Sequence, residues 1–156
     1  MAQWLALAAI AVLALAGLYL LLKSKPPAGD AGPPYRRRDL LNGDEQKLWG
    51  QLNEALQALG GGRVLVCKIR LSEILAVDTA ADDAHHWHHE LDTHLVAFLI
   101  CAPGDLRPLL AVETAADQHG FLARTLGGAG IKLLHLDKPH TLTAAALKQM
   151  LKGELG

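Results

Sequence analysis

No charged side chain occurs before Lys23 in this 156-residue chain. So long an uncharged run, Ala2 to Leu22 (AQWLALAAIAVLALAGLYLLL), argues against a solvated leader. Nothing basic precedes it, and the apolar run continues through Leu20-Leu21-Leu22 into lysines, unlike the basic start and shorter apolar core of a removable signal peptide. Neither sign of charge is in marked excess. Fifteen Lys and Arg stand against 16 Asp and Glu, for a net charge of −1. No global basic field therefore announces a nucleic-acid binder. Cysteine is scarce: Cys67 and Cys101 each sit in an apolar stretch and suit a reducing compartment as buried thiols. No internal repeat is visible.

What the first segment has is length. At about 1.5 Å per residue it spans roughly 30 Å, the hydrocarbon thickness of a bilayer. Trp4 and Tyr19 lie near its ends, where aromatic rings favour the headgroup boundary. Residues 1–22 are thus expected to form a transmembrane anchor that meets the lipid bilayer through residues 2–22. Lys23, Lys25, Arg36, Arg37 and Arg38 all follow the span, and the positive-inside rule puts the remaining chain in the cytoplasm. Pro26-Pro27 and Pro33-Pro34 mark residues 23–39 as a semi-rigid basic linker. Residues 40–156 are long enough for one domain with its own core.

Within that domain, Leu48, Trp49, Leu52, Leu56 and Leu59 form a helical stripe over Asn42 to Leu59, with Asp44 as N-cap and Gly60-Gly61-Gly62 as the stop. Arg63 to Leu71 reads as a strand. Ser72 caps one helical turn, and Asp82 or Asp83 caps a helix through Leu91. His94 to Cys101 and Leu106 to Glu113 form a hairpin around Ala102-Pro103-Gly104-Asp105. A helix over Asp117 to Leu126, ended by Gly127-Gly128, precedes a strand from Ile131 to Leu136. Thr141 caps a last helix through Leu151. This order predicts an α/β fold, a central sheet with helices on both faces.

The order, with Glu45 in the first helix and the stretches VLVCKIRLSEIL, HLVAFLICAPGDLRPLLAVE and GFLARTLGGAGIKLLHL, resembles the PD-(D/E)XK, or restriction-endonuclease-like, superfamily. More narrowly, it resembles bacterial, often membrane-anchored domains of unknown function assigned there. The resemblance implies an αβββαβ sandwich with a mixed central sheet. With the anchor, it implies a single-pass protein of the bacterial inner membrane. Nucleases of that superfamily hold Mg²⁺ with acids from the hairpin strands and use a nearby lysine on the attacking water. Relatives show His-Val-Asp-Phe where this chain has Leu95-Val96-Ala97-Phe98, so Ala97 stands at the metal-binding aspartate. Glu113 is kept, but Ala115 replaces the Lys or Asp two residues later. The next helix offers His119, Ala123 and Arg124. The residual site candidates are Glu113 and Glu45, and the residual cofactor is a divalent cation. A lone Glu binds Mg²⁺ weakly, so the resemblance implies a fold whose catalytic site has degenerated.

Five of the eight histidines fall in His85-His86-Trp87-His88-His89-Glu90-Leu91-Asp92-Thr93-His94. On a helix His85 and His89 share a face and can chelate Zn²⁺, with Glu90 as a third ligand. Ala84, Trp87, His88 and Leu91 are the expected core-facing stripe, and His94 has a structural place at the start of a strand. The metalloprotease spacing is absent, since Thr93 stands where its second histidine belongs. Two function classes follow. One is a membrane-tethered cytoplasmic module that binds a protein or nucleic-acid partner without catalysis. The other is a metal-dependent nuclease or a His/Glu metal-binding protein.

Overall fold

Asn42 sets the start of the folded part in the computed structural model, which describes residues 34–78, 80, 82–115 and 120–156 together with Leu15 and Tyr19. Its Oδ1 accepts the Glu45 N–H at 2.9 Å, and Glu45 Oε2 accepts the Asn42 N–H at 2.9 Å. This reciprocal capping box opens α1 (Gly43–Leu59). The N-cap is therefore Asn42 and not Asp44, because only a cap three residues before Glu45 can exchange both bonds. Asp44 lies in the first turn, where its charge suits the positive end of the helix. Gly60, at φ 71°, ends α1 and returns its N–H to the carbonyls of Leu56 and Gln57.

β1 (Val64–Arg70) and a 3₁₀ turn (Leu71–Glu73) follow, then α2 (Ala84–Thr93), β2 (Leu95–Cys101), β3 (Pro108–Glu113), α3 (Phe121–Gly128) and β4 (Lys132–His135). A second 3₁₀ turn, Pro139–Thr141, leads into α4 (Ala144–Leu155). The four strands form one sheet in the order β1-β2-β3-β4. β1 and β2 pair antiparallel, as do β2 and β3, while β3 and β4 are parallel. The result is a mixed α/β fold.

Each face of the sheet carries a core. On one face, Leu48, Leu52 and Leu56 of α1 and Leu147 and Leu151 of α4 pack on Phe98, Ile100, Leu110 and Val112. On the other, Leu91 of α2 and Leu122 and Leu126 of α3 meet Val96, Leu99, Ala111 and Leu71. The i, i+4 spacing of leucines in α1, α3 and α4 gives each helix one buried stripe.

Some expected details differ. Trp49 is 42% exposed, because the buried stripe of α1 runs through Leu48, Leu52, Ala55 and Leu56 and leaves it to one side. On α2 only Leu91 is buried, and Trp87 and His88 are exposed. Thr143, not Thr141, caps the last helix, accepting the Ala146 N–H at 3.2 Å. Gly127 and Gly128 belong to α3, and the turn falls at Gly130, at φ 73°. The helix expected from Asp117 begins at Phe121, and residues 116–119 lie outside the described residues.

The chain divides into two compact units, Met1–Arg38 and Asp39–Gly156. In the first, Leu15 and Tyr19 are helical and exposed. The rest of the expected anchor over residues 1–22, and of the linker through residue 33, lies outside the described residues. Among the described residues, no helix is long and apolar enough to cross a membrane.

Candidate functional site

An irregularity in β1 creates the site. Regular alternation sends Leu65 and Cys67 toward α1 and Val66 to the opposite face. Lys68 would then turn away from α1. Instead it adopts φ 56°, a left-handed conformation that costs a residue with a side chain about 1–2 kcal/mol. Its ammonium group binds the Glu45 carboxylate on α1, and Ile69 packs on the other face. The pairing with β2 steps from Cys67–Phe98 to Ile69–Val96 over the same interval. The register is the same on both sides of this gap, and β2 is irregular at the facing residue, Ala97. Ala97 and Phe98 both meet the α1-side core, whereas Val96 and Leu99 meet the other.

Where the strands lose their regular ladder, a cavity of about 250 Å³ opens. Glu45, Lys68, Leu95, Ala97, Glu113 and Ala115 are among the residues on its wall. The structure thus brings together the residues that the resemblance singled out from three separate stretches of sequence. It adds Lys68, which the sequence reading did not identify. A signal existed: Lys68 is the one charge inside the run VLVCKI.

Among the described residues on the wall, each charged side chain already has a partner. Lys68 Nζ pairs with Glu45 Oε1, while Glu45 Oε2 serves the capping box. The hydrogen bond from Lys68 holds the Glu45 carboxyl below the usual carboxylate range, and the Asn42 N–H adds to this. Glu113 is only 6% exposed. Its Oε2 accepts the Ala97 N–H at 3.1 Å, and its Oε1 accepts those of Thr114 at 2.8 Å and Ala115 at 3.0 Å. The carboxylate therefore ties the end of β3 to β2 and holds the backbone at Thr114 and Ala115. Three of the roughly four acceptor positions of the carboxylate are used in this way.

The histidines lie elsewhere. His85 and His89 are one turn apart on α2, both exposed, as are His86 and His88. Glu90 is half-buried, with its carboxylate 3.8 Å from His94 Nδ1. Among the described residues, no group of three or more His, Cys, Asp or Glu side chains converges to hold a metal ion. His94 ends α2, donates from Nδ1 to the Glu90 carbonyl at 2.7 Å, and lays its ring on Phe121 with centroids 4.3 Å apart. Arg124 is exposed on α3, and His119 lies outside the described residues.

A family profile described as a protein of unknown function, DUF2726, matches residues 37–154. The chain belongs to the DUF2726 family. The match covers every strand and every helix from α1 to Glu154 of α4. No curated protein and no solved structure matches the chain. Nothing in these comparisons links the DUF2726 domain to the PD-(D/E)XK superfamily or to a membrane anchor.

Proposed function

We propose that this DUF2726 protein is a membrane-tethered cytoplasmic binding module, built on a restriction-endonuclease-like domain that no longer catalyses. The observation that carries the reading is the internal pairing of both cavity carboxylates. Glu45 is held by Lys68 and Asn42, and Glu113 by three backbone N–H groups. Phosphodiester hydrolysis with Mg²⁺ needs acids free to replace water on the cation. The two remaining motif positions, Ala97 and Ala115, supply only methyl groups. The chain order, which is αβββαβ once α2 between β1 and β2 is set aside as an insert and α4 as an addition after β4, and the mixed sheet support the kinship that the motifs suggest.

The tether rests on the uncharged run through Leu22 and the basic residues after it, which favour insertion with the domain on the cytoplasmic side of a bacterial inner membrane. The partner is a protein or a nucleic acid held near that surface. Arg36, Arg37 and Arg38 are exposed and lie just before the domain, where they can meet anionic groups.

The experiment is a cleavage assay. Full-length protein in detergent micelles, given Mg²⁺ or Mn²⁺, should leave supercoiled DNA and RNA intact. Cleavage that disappears in Glu113→Gln would overturn the reading.

A further inference from the structure

A second cavity, of about 440 Å³, lies on the other face of the sheet between α2 and α3. Leu75, Val77, Trp87, Leu91, Phe121 and Thr125 line most of it. We propose that this cavity binds a small, uncharged, planar aromatic molecule. The assignment does not depend on the binding-module reading, because it uses none of the residues of the first cavity.

Four observations converge on that class. The volume lies within the roughly 300–1,000 Å³ of small-molecule sites. Among the described residues on the wall none is charged, so an ionic ligand would lose its hydration without gaining a partner from them. Trp87 and Phe121 present two aromatic rings, and such rings favour offset-stacked or edge-to-face neighbours. Phe121 is held in place by the His94 ring, whereas Trp87, the largest apolar side chain of α2, is left 47% exposed on the cavity wall. Among the described residues on the wall, Trp87 offers an indole N–H and Thr125 a hydroxyl. The Thr125 hydroxyl can donate to or accept from a ring hydroxyl or ring N–H, which fixes the orientation of a flat ligand.

The cavity also contains its own test. Gly128 lines it, and a Cβ built there meets nothing within 4 Å. Leucine at this helical position should therefore fill the cavity without straining the backbone, and it favours the helix over glycine. Gly127 is equally open but does not line the cavity, so Gly127→Leu is the matched control.

Naphthol titrated into the full-length protein should give saturable one-to-one binding by calorimetry. Gly128→Leu should abolish the binding and Gly127→Leu should leave it unchanged. Trp87→Ala should weaken it about tenfold through loss of the aromatic contact. Because Trp87 is half exposed, that variant keeps the test decisive even if Gly128→Leu were to misfold. No saturable naphthol binding by the unmodified protein would overturn the proposal. So would binding that survives both Gly128→Leu and Trp87→Ala, or decanol binding as tightly as naphthol.

Discussion

Lys68 concentrates the local argument in one residue. Its backbone is left-handed where a β-strand would be extended, and its ammonium group reaches Glu45 because of it. Replacing it separates the two effects. Lys68→Gly and Lys68→Ala both lose the ion pair, but only glycine adopts this backbone without a steric penalty. Lys68→Gly should therefore be the more stable by about 1 kcal/mol in urea unfolding, the reverse of the usual order inside a strand. Glu45 gives a pH signature. Its folded carboxyl lies below the ordinary 4.5, so its contribution is complete above that pH and is lost as pH falls through the folded value. Wild-type stability should fall below pH 4.5 more steeply than that of Glu45→Gln. At neutral pH that substitution should cost about 1 kcal/mol, from the capping box and the ion pair together. Cys101 offers a third check. Burial, helped by the nearby Asp105 charge, pushes its thiol up, so it should resist alkylation in the native protein and react on unfolding. Rapid native labelling of Cys101 would contradict its placement.

The elements differ in how far their side chains commit to the core. Leu52 is fully buried between α1 and the sheet, so Leu52→Ala should cost about 2–5 kcal/mol. Trp49, three residues earlier on the same helix, should cost well under half of that as Trp49→Ala, read by the same denaturant midpoints. Equal losses would mean that α1 is rotated from the orientation described. This pair also illustrates what the sequence could convey. The leucines at i, i+4 and i+8 located the helix, but a stripe drawn from hydrophobicity alone admits Trp49, and only the helix's rotation on the sheet excludes it. Trp87 and His88 were misplaced for the same reason, since α2 buries Leu91 alone. The hairpin, the β4 strand and the helix at the end were legible from apolar runs bounded by turn residues. The first cavity was legible only through the resemblance, which located Glu45, Ala97, Glu113 and Ala115. Lys68 escaped because strand periodicity presumes extended backbone, and its φ of 56° breaks that premise.

At the scale of the whole chain, two claims separate cleanly. Asp39–Gly156 is a compact unit with both cores inside it, so a fragment of those residues should melt cooperatively. A gradual, uncooperative loss of signal would show that the domain needs the preceding segment. The tether is tested by a C-terminal phosphatase reporter, which should stay inactive while the C-terminus is cytoplasmic. Leu13→Arg should reduce insertion, at about 2.5–3.5 kcal/mol for a charge at the centre of a span. The central claim concerns the first cavity: Glu45 and Glu113 are held by partners within the domain, and the proposal is that they bind no catalytic cation. A calorimetric titration of the full-length protein with Mn²⁺, beside Ala97→Asp, addresses it most directly. The account predicts no saturable Mn²⁺ binding by the wild type and a gain of binding on adding a carboxylate at residue 97. Tight Mn²⁺ binding by the wild type that vanishes in Glu113→Gln would contradict it.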